Sequence, residues 1–404
     1  MSMHAGSIES KSGAALERFR AFVLENVALH DELRRPNELH SFIGLVVDVG
    51  RRHDFTFAAQ DVAHAIQARH VQSLGAAARA RATALPPSGW LPARAFWQED
   101  ELYVGWSYFG DRRLSEPFFE DSLRRALETP FNLLFHYATP IARLADWLQA
   151  HPGLAPSGFI FHMSRCGSTL VAQTLAALAH NLVISEAPPL DAVVQARGRR
   201  RDLTAEQHAR WLTWMVGALA QPRCGERALF LKLDSWHTLA LPLFRRAFPS
   251  VPWVFLYRDP VEVVVSHMQM PGIHTVPELG GAHILGSDAP FEPHRREDYC
   301  ARVLARICEP VLAHARDGGR LINYRELPAA TWTSILPHFR VAVSARDRAV
   351  MAKAARYDAK MPGMPFTPDA EEKQAVATPE LRAAARERLG DIYARLEALR
   401  CEDL

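Results

Sequence analysis

The stretch FIFHMSRCGSTLVAQTL, which begins at Phe159, passes from an apolar run into Arg165, Cys166, Gly167, Ser168 and Thr169, then resumes with helical spacing. A strand that ends in a glycine-containing turn and enters a helix aims that helix's free amides, with their partial positive charge, at the crevice beyond the strand ends. Such a turn suits an oxyanion. Gly167 lets the backbone approach, Ser168 and Thr169 add hydroxyl donors, and Arg165 adds a charged fork. The plainer alternative is a tight turn before a helix, with Ser168 as its cap. The Gly-x-x-x-x-Gly-Lys-Ser/Thr nucleotide loop is absent, as is the lysine that would reach β and γ phosphates.

A second strand, turn and helix is written in WVFLYRDPVEVVVSHM, from Trp253, with Arg258 at the turn and Ser266 two helical turns inside. Asp259, Pro260 and Glu262 read as capping residues of that helix. Only five of the 47 basic residues are lysine: Lys11, Lys232, Lys353, Lys360 and Lys373. Lys232 ends the apolar run ALFLK, so in an arginine-rich chain it reads as a compact point charge aimed at the crevice, with a snorkelling strand-end lysine as the alternative. Glu186, in LVISEAPPL, follows another strand at the end where open sheets gather their chemistry. A carboxylate there serves as a general base if burial lifts its pKa, and a cap before Pro188 and Pro189 is the competing reading. Asp234 and His237 stand in reserve for that role. No His-Glu-x-x-His and no acidic cluster with ligand spacing occurs, so no metal is expected.

The elements that must position these residues alternate from about Ser157 onward. Strands are expected at 159–163, 182–185, 228–232, 253–257 and 321–323, with helices between them. Thr204 and Gln207 form a capping-box pattern, and Thr378-Pro379 opens a long Ala/Arg/Glu-rich helix. This is the texture of a three-layer α/β fold of P-loop type with a mainly parallel sheet, over residues 151–404. Before it, residues 1–78 read as a bundle of three helices. Residues 79–150 read as a Pro- and Gly-bearing linker and an aromatic-rich accessory region containing the strand-like ELYVGWSYFG. The segment 270–298 is long, with little periodicity, and carries His274, His283 and His294; it reads as a lid or acceptor-binding element.

With 404 residues, 48% of them hydrophobic, the chain can bury a large core, and a net charge of +2 gives no general reason to expect nucleic acid or an acidic membrane as partner. Five scattered cysteines without paired Cys/His spacing suit a reduced cytoplasm, and no stretch reaches the roughly 20 apolar residues that span a bilayer.

HMSRCGSTL and YRDPVEVVVSH together resemble the 5′-phosphosulfate loop and the 3′-phosphate motif of P-loop sulfotransferases, which take their sulfuryl group from 3′-phosphoadenosine 5′-phosphosulfate and release adenosine 3′,5′-bisphosphate. The resemblance implies that Arg165, Cys166, Gly167, Ser168 and Thr169 surround the 5′-phosphosulfate, that Arg258 and Ser266 hold the 3′-phosphate, and that Lys232 steadies the bridging oxygen. Cys166 and Ser168 depart from the family's usual loop. Glu186, 21 positions after Arg165, is placed like the catalytic glutamate of tyrosylprotein sulfotransferases. LINYREL and YDAKMPGMPFTPDAEEK look like closing segments of bacterial members, which would bring Lys360 or Lys373 near the nucleotide. By analogy with phosphoryl transfer, such a site needs cationic donors at the leaving oxygen and a base at the acceptor. LERFRAFVLENVALHDEL and DFTFAAQDVAHAI resemble Nif11-type helical domains, which leaves peptide recognition, a homodimer contact or a plain appendage open. The expected activity is sulfuryl transfer to a hydroxyl or amine of a small metabolite or peptide. An ATP-dependent small-molecule kinase and a non-catalytic peptide-binding module are the alternatives.

Overall fold

The computed structural model describes residues 3–72, 84–285, 295–361 and 363–402. The linker and boundary expected near residue 80 lie outside or at the edge of these residues. Four helices open the chain rather than three: α1 (Met3–Glu25), α2 (Ala28–Leu33), α3 (Leu39–Arg52) and α4 (Ala59–Gln72). The extra one arises because α1 stops at Asn26, whose side-chain amide donates to the Phe22 carbonyl at 2.7 Å, and a six-residue turn of helix follows. Leu16, Phe19 and Val23 share a buried face at helical spacing.

α1 packs against residues 134–137, which lead into a small antiparallel sheet of β1 (Trp90–Gln98), β2 (Glu101–Tyr108) and β3 (Ala138–Pro140). Arg20 Nε donates to the Leu134 carbonyl at 2.9 Å, and the Tyr137 hydroxyl donates to the Leu24 carbonyl at 2.5 Å. Phe19 and Phe42 both pack edge-on against Phe135. On its other flank the small sheet meets the main fold, with Trp97 against Trp211 and Arg113 donating to the carbonyls of Ala176 and Leu178.

The main sheet has five strands, all parallel: β4 (Pro156–His162), β5 (Asn181–Ser185), β6 (Ala228–Lys232), β7 (Trp253–Tyr257) and β8 (Gly319–Asn323), in the spatial order β5-β6-β4-β7-β8. Every residue of β5 and β7 is buried, as expected of strands covered on both faces. The chain is thus an α/β protein with a parallel sheet and a helical N-terminal region. The helices that matter for the site are α5 (Ser168–Ala176), α6 (Pro188–Val194), α7 (Ala205–Leu219), α8 (Pro260–Gln269), α9 (Arg296–His314), α10 (Ala370–Val376) and α11 (Pro379–Glu402). The capping box of α7 is formed, with the Thr204 hydroxyl accepting from the Gln207 amide and the Gln207 side chain accepting from the Thr204 amide.

Within segment 270–298, the described residues 270–285 are less irregular than their composition predicts. They hold short helical turns at Ile273–Thr275 and Ala282–Leu285, and Ile284 of the second packs with Tyr299, Val303 and Ile307 in a small apolar cluster. His294 lies outside the described residues. Among the described residues, no helix is long and apolar enough to cross a membrane.

Candidate active site

Parallel register brings the chemistry together. Lys232 pairs with Ile160 on one side and Ser185 on the other, and Leu256 pairs with His162, so the carboxyl ends of β4, β5, β6 and β7 finish at one level. The next residue after β5, Glu186, donates its amide to the Lys232 carbonyl at 2.8 Å, and the two side chains form an ion pair. Beyond these ends lies a cavity of ≈ 770 Å³ whose lining includes Arg165, Glu186, Asp234 and Arg258. None of its described lining residues comes from α1 to α4.

The backbone around the cavity is strained. Six non-glycine residues among those described have positive φ, and three of them, Ser164, Arg165 and Glu186, line this cavity. Each such residue costs on the order of 1–3 kcal/mol, which surrounding structure sustains chiefly where function requires it. Gly167 completes the turn at φ 84°, and a Cβ there would lie 2.7 Å from Leu327 Cδ1 and 2.9 Å from the Tyr324 ring. Gly167, not Ser168, is the N-cap of α5; its carbonyl accepts from Val171, and Ser168 is the first helical residue. Successive amides in such a turn form a concavity that receives anions.

The named loop side chains divide. Ser168 and Thr169 are buried and line the cavity, and Arg165 lines it while donating to the Met270 carbonyl at 2.6 Å. Cys166 contributes no side-chain donor. Its thiol is fully buried, donates to the Leu256 carbonyl and has a pKa pushed up to about 12 by burial, so only its main chain can face a ligand.

Arg258 and Ser266 both line the same cavity. The Arg258 guanidinium lies 4.0 Å from the Tyr324 ring centroid and donates to Glu262 at 2.5 Å and to Asp369 at 2.7 Å. Burial opposes its charge, but those two carboxylates outweigh it and raise its pKa. Glu262 is therefore an ion-pair partner and not a capping group; Asp259 alone caps α8, accepting from the amides of Val261 and Glu262. Asp369 also holds Lys373 at 2.6 Å, so one carboxylate bridges two cations. Lys360 lines the cavity too, and burial together with Arg165 and Lys232 pushes its pKa down to about 8.

For Glu186 the expected pKa shift is reversed. Burial alone would raise it, but the Lys232 charge and the His162 hydrogen bond prevail and hold the carboxyl far below its usual range. His162 escaped sequence reading: its Nε2 lies 2.9 Å from the Leu233 carbonyl and 3.4 Å from Glu186, and its Nδ1 accepts from the Ser164 amide. Burial lowers the pKa of the ring. Phe118, from the aromatic region, places its ring 4.7 Å from Lys232 Nζ.

Asp234 and His237 join Asp191 of α6, another residue the sequence did not single out. His237 Nε2 is 2.8 Å from Asp191 and 3.6 Å from Asp234. Ligand atoms of the three lie within 4.8 Å of one another, a grouping of the kind that can hold a metal ion and one that no local spacing announces. Burial raises the Asp234 pKa, with Glu186 and Asp191 adding to it against the pull of His237.

No family model and no curated protein matches the chain. Solved structures with partial likeness include a sulfotransferase from Mycobacterium avium (14% identity, TM-score 0.39, covering 62% of this chain and 80% of that one). A sulfotransferase domain from the curacin biosynthetic pathway (15%, 0.36, 58% and 97%) and a sulfotransferase from Alicyclobacillus acidocaldarius (16%, 0.33, 62% and 97%) are others. At such scores the likeness carries no conclusion about activity.

Proposed function

We propose that this chain is a sulfotransferase that moves a sulfuryl group from 3′-phosphoadenosine 5′-phosphosulfate to a hydroxyl or amine. The observation that carries the reading is that two strand-to-helix corners, 165–169 and 258–266, line one cavity together with Glu186, whose carboxylate is ion-paired to the buried Lys232. The first corner supplies amides, hydroxyls and Arg165 for one anionic group; Arg258, Ser266 and Lys373 receive the other.

In the reaction, the acceptor oxygen or nitrogen attacks sulfur in line as the bond to the bridging oxygen breaks, and the acceptor's proton passes to a base. Lys232, now paired with Glu186, turns its ammonium to the bridging oxygen. Glu186 then loses the cation that depresses its pKa, while its burial persists, so its basicity rises where the acceptor proton must go. Arg165 neutralises charge on the transferring group. No step in this scheme calls on a metal. The unpaired cysteines suit a reducing compartment such as the cytoplasm, and α1 to α4 serve as an appendage covering the small sheet.

Isothermal titration tests the reading. Adenosine 3′,5′-bisphosphate should bind and ATP should not, with Arg258→Ala weakening the bisphosphate at least about tenfold because a buried phosphate loses its charged partner. Tight ATP binding with no bisphosphate binding would favour the kinase alternative.

A further inference from the structure

The residues lining the cavity carry charges of both signs. Its basic side chains are Arg165, Arg258, Lys360 and Lys373, with Asp358 and Asp369 lining it too. Its other acids are Glu120, Glu186, Asp191 and Asp234, the rings of Phe118 and Trp236 also line it, and the buried Lys232 is fixed on Glu186. The donor's anionic groups belong with the basic set, which leaves the acidic, aromatic set to the acceptor.

Among the buried carboxylates of that set, one has no hydrogen bond. Glu186 has Lys232, and Asp191 accepts from Trp236 Nε1 at 2.7 Å, from His237 and from Gln195. Asp234 is 8% exposed, yet no described donor lies within hydrogen-bonding distance of its carboxylate. The His237 Nε2 lies 3.6 Å away and is directed to Asp191 at 2.8 Å. A buried acid facing a cavity without a donor is costly unless a ligand supplies one. Burial holds its pKa high in the free protein, and an N–H⁺ donor would bring it down.

We infer that the acceptor carries a protonated amine, whose N–H groups complete Asp234 and whose charge is shared by Asp191 and Glu120. Phe118 and Trp236 line the cavity with these acids, and aromatic rings favour a neighbouring alkylammonium or aromatic amine. The same carboxylates repel acidic acceptors, acidic peptides among them. The inference rests on the sulfotransferase reading for the word acceptor, but the amine site itself requires no donor.

Three matched probes test it by titration of the full chain without nucleotide: 2-phenylethylamine, 2-phenylethanol and phenylacetate. The amine should bind at least about tenfold more tightly than the alcohol, the strength of one charge-assisted hydrogen bond, with phenylacetate weakest. Asp234→Asn should erase that preference. Glu120→Gln, at an exposed position where folding is not at stake, should reduce it in part. Equal binding of the probes, no binding of any, or a preference that survives Asp234→Asn overturns the inference. So does stabilisation by zinc chloride without amine preference, which would make Asp191, Asp234 and His237 a metal site. Failure to bind adenosine 3′,5′-bisphosphate, with the amine preference intact, would overturn the donor assignment alone.

Discussion

The Lys232 and Glu186 pair is where sequence and environment part company. Both residues announce themselves, one as a rare lysine closing an apolar strand and the other as an acid just past a strand end. Their mutual contact does not, because it depends on β5 and β6 being neighbours in register. Glu186→Gln leaves Lys232 buried without its anion. The loss should be about 2 kcal/mol, less than for a fully enclosed pair because a quarter of the Glu186 side chain, 25%, meets solvent. Its pH dependence follows from the depressed pKa. The stabilisation is fully present above the unfolded value, about 4.3, and disappears as pH falls through the lower folded value. Urea titrations of wild type and variant should therefore differ at pH 7 and converge in strong acid. A constant difference across that range would contradict the ion-pair account.

At the scale of elements, the strand-to-helix corner at 163–169 combines what was legible with what was not. The apolar run, the glycine and the ensuing helical periodicity located β4, the turn and α5. The capping role of Gly167 was missed because serine is the commoner cap, whereas here the left-handed backbone and the nearby Tyr324 ring admit only glycine. Gly167→Ala should lower stability by about 1–3 kcal/mol, read as a drop in thermal midpoint, and weaken bisphosphate binding in parallel. Retained stability with retained binding would show that the turn is not strained as described. Other misreadings have similar causes. Glu262 matched a capping pattern in sequence, but its side chain follows Arg258, one helical turn away, because a buried guanidinium needs an anion. His162 and Asp191 had no local pattern at all; each acquires meaning only from partners that are distant along the chain.

Across the whole molecule, the small aromatic sheet joins the N-terminal helices to the main fold. Tyr137 reaches back to Leu24, Trp97 rests on Trp211, and Phe118 arrives beside Lys232. Sequence texture separated these regions by composition but could not reveal that an accessory strand-and-turn segment supplies a wall of the site. Removing residues 1–83 would uncover Phe131, Phe135 and Tyr137, all now buried. The shortened chain should self-associate on size-exclusion chromatography and bind an apolar dye that the full chain does not. A monodisperse, dye-silent product would mean that the helices are dispensable to folding.

Asp369, poised between Arg258 and Lys373, has a consequence for traffic through the cavity. Under the proposed function, an incoming phosphate would find its seat already taken by a tethered rival of like charge. Entry would then be an exchange of anions and not the filling of a vacant berth.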